Sequence, residues 1–298
     1  MHVFVTGASG WIGSEVVRQL VGAGNRVSGL ARSDAAAARA EAAGATVLRG
    51  DLEARELLAR AAREADAVVH TGFIHDFSNF AHSVEVDRLA IEAFGEAMAG
   101  SGKPLLVAAG VAARAVGRPA TEEDPVDTGV YHGPARVSES AALALVERGV
   151  RAGVVRLPPT VHGSGDYGFV AALVGIARQK GAAGYVEAGD NLWPAVHVTD
   201  AARVFVLALE KGEAGQRHNA VQDQGVPFRD IAAVMGRRMN LPVISVPRDK
   251  AGEHFGWMGA FVQFSVPASS QLTRQRLGWT PTGPNLIADL ETGTYFDV

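Results

Sequence analysis

Gly7, Gly10 and Gly13 stand three residues apart between an apolar run, Val3-Phe4-Val5, and a helical pattern of Val16, Val17, Leu20 and Val21. In that setting each glycine has a task. Gly7 permits a tight turn, Gly10 lets backbone N–H groups approach a pyrophosphate, and Gly13 lets the helix lie close to the strand. The helix N-terminus adds partial positive charge toward the phosphates. Gly7, Ser9, Gly10, Trp11, Ile12 and Gly13 are therefore expected to bind a dinucleotide. A second set of residues could move protons: Tyr131, His75 and His162. Each has a bland alternative, since a loop tyrosine packs and a loop histidine is often simply solvated or hydrogen-bonded.

These residues need a scaffold that brings them to one edge. Apolar runs at His2–Thr6, Arg26–Leu30, Thr46–Arg49, Ala67–His70, Leu105–Ala109 and Gly153–Leu157 alternate with helical patterns near Gly13–Ala23, Asp34–Ala43, Ala54–Glu64, Val84–Ser101 and Arg136–Arg148. Such alternation predicts an α/β fold, a doubly wound parallel sheet covered by helices on both faces. Ligands in such folds sit at the carboxyl ends of the strands. Residues 1–160 are expected to form the dinucleotide-binding Rossmann part, with later strands free to join its sheet, and 161–298 a smaller α+β substrate-binding part interleaved with it.

The tip of the second strand reads Ala31-Arg32-Ser33 and carries no acidic residue to hold a ribose 2′-hydroxyl. Arg32 and Ser33 suit a 2′-phosphate instead, the first as a planar charged donor and the second as a short hydroxyl. NADP is the expected cofactor, and Asp34 one step further keeps NAD open. Asp51 could cap the helix that follows it.

The segment Thr6-Gly7-Ala8-Ser9-Gly10-Trp11-Ile12-Gly13 resembles the short-chain dehydrogenase/reductase superfamily, in its extended and atypical branches. That resemblance extends to the end of the chain. Arg156-Leu157-Pro158-Pro159-Thr160-Val161-His162-Gly163 is similar to the segment such proteins run past the nicotinamide, with Pro158 as a cofactor contact and His162 in place of a tyrosine. Val196-His197-Val198-Thr199-Asp200-Ala201-Ala202 is similar to the junction in which the aspartate caps a helix and the histidine bonds to nearby backbone. Leu277-Gly278-Trp279 resembles the closing turn. The resemblance further implies that Asp51 and Leu52 meet the adenine, that Thr71, Gly72 and Phe73 line the cofactor ribose, and that the fourth and fifth helices pair two copies into a homodimer. For that pairing the chain offers Leu89, Ala93, Phe94 and Ala97 against Ala141, Ala142 and Leu145.

The chain departs from the superfamily where the chemistry is expected. Strand five ends in Ala108-Ala109 where a hydroxyl should stand, and the Tyr-x-x-x-Lys of the next helix aligns with Ala135 and Glu139. Tyr131, on the preceding loop, is the nearest substitute acid, followed by His75 and His162. Rebuilding the pattern with Ala135→Tyr and Glu139→Lys is then a gain-of-function check, in which a jump in ketone reduction would show that only the acid is missing. The functions compatible with these residues are an NADP-dependent reductase or dehydrogenase of a small carbonyl or alcohol, a redox-neutral isomerase, cyclase or dehydratase, and a catalytically silent nucleotide sensor.

Composition narrows the partners. The chain has 298 residues, 47% of them apolar, a net charge of −4 and no cysteine. Nothing in it suggests nucleic-acid binding, a disulfide or a thiolate metal site. The histidine pairs His70/His75 and His162/His197 lack zinc spacing, so no metal is expected. A first strand at residue 2 leaves no room for a signal peptide and no apolar run reaches ~20 residues, so a cytoplasmic protein with a small-molecule substrate and no membrane partner is the expectation.

Overall fold

Val3, Phe4 and Val5 in succession are completely buried, as are Val68 and Val69, which requires strands covered on both faces. The computed structural model describes residues 1–76, 79–111, 115, 117–126 and 136–297. In it β1 (His2–Thr6), β2 (Arg26–Ala31), β3 (Thr46–Arg49), β4 (Ala67–His70), β5 (Pro104–Gly110) and β6 (Arg151–Leu157) lie parallel in the order β3-β2-β1-β4-β5-β6, and β10 (Arg217–Asn219) adds a seventh strand beside β6. This is the expected doubly wound sheet. The strand order reverses between β1 and β4, so a crevice opens at their carboxyl ends.

One face of the sheet is covered by α1 (Trp11–Gly22) and α7 (Val198–Lys211), which pack side by side over Val3, Val5, Val69 and Leu106. The other carries α3 (Arg55–Glu64), α4 (Phe80–Met98) and α5 (Ser138–Ala144), closed around Phe4, Phe94 and Leu105. Ala93, Phe94, Ala142 and Leu145 are thus buried inside the chain rather than offered to a second copy, because α4 packs on α5 here, with Leu145 filling the space that Gly95 leaves free. Leu89, Ala97 and Ala141 remain half-buried. No helix among the described residues is long and apolar enough to cross a membrane.

The second half builds its own core. β9 (Leu192–His197) pairs with β7 (Thr160–His162) and β11 (Asp223–Pro227), and β8 (Ala183–Val186) with β12 (Val243–Val246). Trp193, Phe228 and Phe255 are buried among these strands and the helices α6 (Phe169–Lys180) and α8 (Phe228–Met239). The aromatic stretch 255–264 contributes Phe255, Met258 and Val262 to this core and leaves Trp257 half exposed.

The junction at 197–200 keeps the expected histidine contact to nearby backbone and departs at the aspartate. Asp200 does not cap α7. Its carboxylate accepts the N–H groups of Thr282 (3.0 Å) and Gly283 (2.7 Å), tying the segment after Trp279 to the helix, and the His197 ring accepts from Thr199 N–H at the helix start. Asp200 already lies within the first turn, so its side chain faces the neighbouring loop rather than its own helix end.

His218 on β10 is fully buried, and neither ring nitrogen has a hydrogen-bond partner among the described residues. Burial, aided by the Arg276 charge, lowers its pKa to about 4. The unfolded value is about 6.5, so the unfolded chain binds a proton that the folded one refuses between these limits. The stability present above pH ~6.5 is therefore lost as pH falls toward 4, amounting to about 2 kcal/mol by about pH 5. Melting at neutral pH and at about pH 5 should show a smaller acid-induced drop for His218→Leu than for the parent. Equal drops would remove His218 as the cause.

Candidate active site

Gly7 has φ +68°, and a Cβ on it would come within 2.7 Å of Gly72 N. A Cβ on Gly13 would stand 2.0 Å from the Gly7 carbonyl oxygen, so α1 reaches the turn only because position 13 has no side chain. Gly10 differs. A Cβ there would meet only the Gly7 carbonyl at 3.2 Å and, at 4.0 Å, the Tyr167 hydroxyl, so its face is open. No side chain caps the N-terminus of α1. First-turn N–H groups beside an open glycine face fit a diphosphate in size, charge and donor chemistry. The Trp11 indole N–H donates to the Val161 carbonyl (2.8 Å), joining this turn to β7.

At the β2 tip Arg32 is exposed, and Ser33 caps α2 (Asp34–Ala42) by accepting the Ala36 N–H at 3.2 Å. The Ser33 hydroxyl proton stays available for an anion. Asp34 pairs with Arg49. Arg39, which the sequence does not mark, reaches back from α2 to the Ser9 carbonyl (3.3 Å) and brings a second cation to the turn. Asp51 accepts the N–H groups of Glu53 and Ala54 at 3.0 and 3.1 Å, forming the turn that leads into α3. Leu52 lies against Gly72, its Cδ2 3.3 Å from where a Cβ would be.

Beyond β4 a polar chain crosses the interior. Gly72 N–H donates to the Thr6 hydroxyl (3.2 Å), which contacts His70 Nδ1 (2.6 Å), and His70 Nε2 meets Asp87 at 3.1 Å. The Ser138 hydroxyl donates to the other Asp87 oxygen (2.5 Å), and Arg136 Nε donates to Ser138 (2.6 Å). Burial would raise the Asp87 carboxyl, but bonds from His70 and Ser138 and the Arg136 charge hold it below its usual range. Thr71 is anchored separately, its hydroxyl donating to the Thr6 carbonyl (2.7 Å).

Arg136 ends this chain at the carboxyl edge of the sheet. It donates to the Ala108 carbonyl (3.1 Å) and its guanidinium lies over the Phe73 ring, 4.1 Å from the centroid. His75 stands edge-on to the same ring at 5.4 Å. Burial on that side, then the Arg136 charge, lowers the His75 pKa, while a bond to the Phe73 backbone acts in the opposite sense. A cation held on the β5 carbonyl of Ala108 and an ionisable imidazole thus share the Phe73 ring, an arrangement that could stabilise and protonate a developing alkoxide. Nothing in the spacing marked Arg136, because it bonds to Ala108 across 28 residues and its neighbour Ser138 reaches Asp87 across 51.

The remaining expected residues are dispersed. Tyr131 and Ala135 lie outside the described residues. Pro158 is buried directly after β6. His162 has no exposure; its Nδ1 is 2.8 Å from Asp289, on α11 (Leu286–Thr292), and its ring packs 5.6 Å from that of His197. Glu139 faces away from the crevice. Its two oxygens accept Arg156 Nε and Nη2, both at 2.7 Å, and Arg217 Nε also donates at 2.7 Å.

A seven-stranded parallel sheet whose first turn presents an open glycine face to an uncapped helix end defines a Rossmann protein of the dinucleotide-binding class. The chain belongs to the NAD dependent epimerase/dehydratase family, whose model matches residues 3–222. It is 46% identical over 297 residues to an uncharacterised protein of Schizosaccharomyces pombe, covering 99% of this chain and 100% of that one. It is also 27% identical, over 90% of this chain and 84% of the other, to the 4-hydroxy-2-methyl-3-oxo-4-farnesyl-3,4-dihydroquinoline-1-oxide ketoreductase of Stigmatella aurantiaca. Among solved structures a double mutant of the dTDP-glucose 4,6-dehydratase DesIV of Streptomyces venezuelae, with NAD bound, superposes with a TM-score of 0.80 at 19% identity, covering 100% of this chain and 97% of that one. At that identity the likeness concerns the fold.

Proposed function

We propose that the protein is an NADP-dependent oxidoreductase that reduces a small carbonyl compound or oxidises the corresponding alcohol. The observation that carries this reading is the open glycine face under an uncapped helix end, with Arg32, Ser33 and Arg39 gathered at its adenosine side and no acidic residue at the β2 tip. The 27% identical ketoreductase supports the reaction class. When bound, the dinucleotide supplies or accepts a hydride at the substrate carbonyl carbon. The chain does the rest. The glycine turn and the first turn of α1 hold the diphosphate, Arg32 and Ser33 hold the 2′-phosphate, and Leu52, Gly72 and Phe73 line the adenosine and ribose. Arg136, fixed by Ala108 and Ser138, stabilises negative charge on the carbonyl oxygen, and His75 delivers the proton.

Calorimetric titration tests the cofactor half. NADP should bind several-fold more tightly than NAD, and Arg32→Ala should erase the difference, since a charge pair at an exposed arginine is worth up to about 1 kcal/mol. Equal dissociation constants in the parent would overturn the preference. A second reading, a nucleotide-binding sensor without catalysis, is favoured by the engagement of Glu139 in ion pairs at the position where the superfamily keeps its lysine.

A further inference from the structure

Tyr167 is 68% exposed, the most exposed of the large hydrophobic side chains, and no hydrogen bond holds its hydroxyl among the described residues. Its position is not that of an idle surface residue. The ring packs against Trp11 at 6.1 Å, and its hydroxyl stands 4.0 Å from the point a Cβ on Gly10 would occupy, over the open face of the glycine turn.

The loop that carries Tyr167 is tied down from the far end of the chain. Tyr295 accepts the Gly163 N–H (3.0 Å) and donates to Asp166 Oδ2 (2.8 Å), while Asp166 Oδ1 accepts the Gly168 N–H (2.6 Å). Ser164 contacts Thr294 at 3.2 Å, and His162 is bonded to Asp289. Both ends of the loop therefore converge on one half-buried tyrosine hydroxyl. Burial and the Asp166 charge keep that hydroxyl protonated, so it remains a donor. Gly163 and Gly165, with φ of +148° and +86°, let the loop fold back over Trp11.

We propose that Tyr167 is a cofactor-contacting residue whose hydroxyl donates to the dinucleotide diphosphate, and that Tyr295 with Asp166 is the positioning latch that holds it there. This rests on the dinucleotide reading given above. The two tyrosines have separable roles. Tyr167 makes the contact, whereas Tyr295 acts only through the loop.

The test uses the full chain and two ligands, NADP and adenosine 2′-monophosphate, which lacks the diphosphate. Tyr167→Phe should weaken NADP about tenfold by calorimetry, the worth of one charge-assisted hydrogen bond at a partly solvated site, and leave adenosine 2′-monophosphate unchanged. Tyr295→Phe should weaken NADP by a similar factor, spare the smaller ligand, and speed chymotryptic cleavage after Tyr167 in the ligand-free protein. NADP binding by Tyr167→Phe at the parent's affinity overturns the contact, and because Tyr167 is exposed that variant folds whatever Tyr295→Phe does. Equal weakening of both ligands overturns it as well, since the loss is then not at the diphosphate. A parent that binds neither ligand overturns the dinucleotide reading itself.

Discussion

Glu139→Gln should lower folding stability by about 3–5 kcal/mol, and Glu139→Lys should leave little folded protein, when midpoints of urea unfolding are compared with the parent. The Arg156 side chain is completely buried, and Glu139 meets it with two parallel bonds while taking a third from Arg217. Arg156 also donates to the carbonyls of Thr121 (3.4 Å) and Asp124 (2.9 Å), so the guanidinium fastens β6 to the segment before α5. Removing the carboxylate charge leaves a cation in the interior with no counter-charge, which costs far more than an exposed pair is worth. A lysine there would add a third cation to two. Rebuilding the superfamily pattern with Ala135→Tyr and Glu139→Lys should therefore unfold the protein before any gain in activity could be read. Burial alone would raise the Glu139 carboxyl, yet the bonds and charges of Arg156 and Arg217 hold it below the usual carboxylate range. The stability it contributes is thus fully present above the unfolded carboxyl value and is lost progressively as pH falls from there through the depressed folded value. A Glu139→Lys protein with the parent's urea midpoint would refute this account.

The second large effect is on catalysis. His75→Gln should lower kcat for carbonyl reduction by about 10²–10⁴-fold, the usual worth of a general acid, with NADP affinity unchanged because the grip on the cofactor lies elsewhere. The pH profile carries the sharper test. Burial against Phe73 and the nearby Arg136 charge place the His75 pKa below its ordinary value, so its protonated form is scarce above neutrality. Reduction by the parent should therefore slow about tenfold for each pH step above ~7, while the residual rate of the variant stays flat. A phenol donor, for which the reference value is about 10, would instead hold the rate level to about pH 9. A variant that keeps both the rate and the slope removes His75 as the donor. If Tyr131→Phe is equally silent, the hydride-transfer reading loses its acid and the sensor reading takes its place.

What the sequence determined by itself is what neighbouring residues decide among themselves. The turn from Gly7 to Gly13 was legible because strand, glycines and helix lie within a dozen residues, and backbone sterics act at that range. The alternation of the first six strands and five helices was legible for the same reason, since the period of apolar residues reports which face is buried. Periodicity does not report what a buried polar group will meet. Glu139 finds its partners 17 and 78 residues away, Thr6 and His70 meet across 64, and His162 is claimed by Asp289 across 127. Alignment to a family put Glu139 where a cofactor-holding lysine stands and made His162 a pocket residue; the tertiary structure turns the first toward two arginines and encloses the second under α11. Side chains of this kind must satisfy their charge or hydrogen-bonding groups once water is excluded, and the partner is whatever the packed elements bring within about 3 Å. That choice belongs to the assembled fold, which is why Arg136, Arg39 and Tyr167 gained their places at the crevice only there.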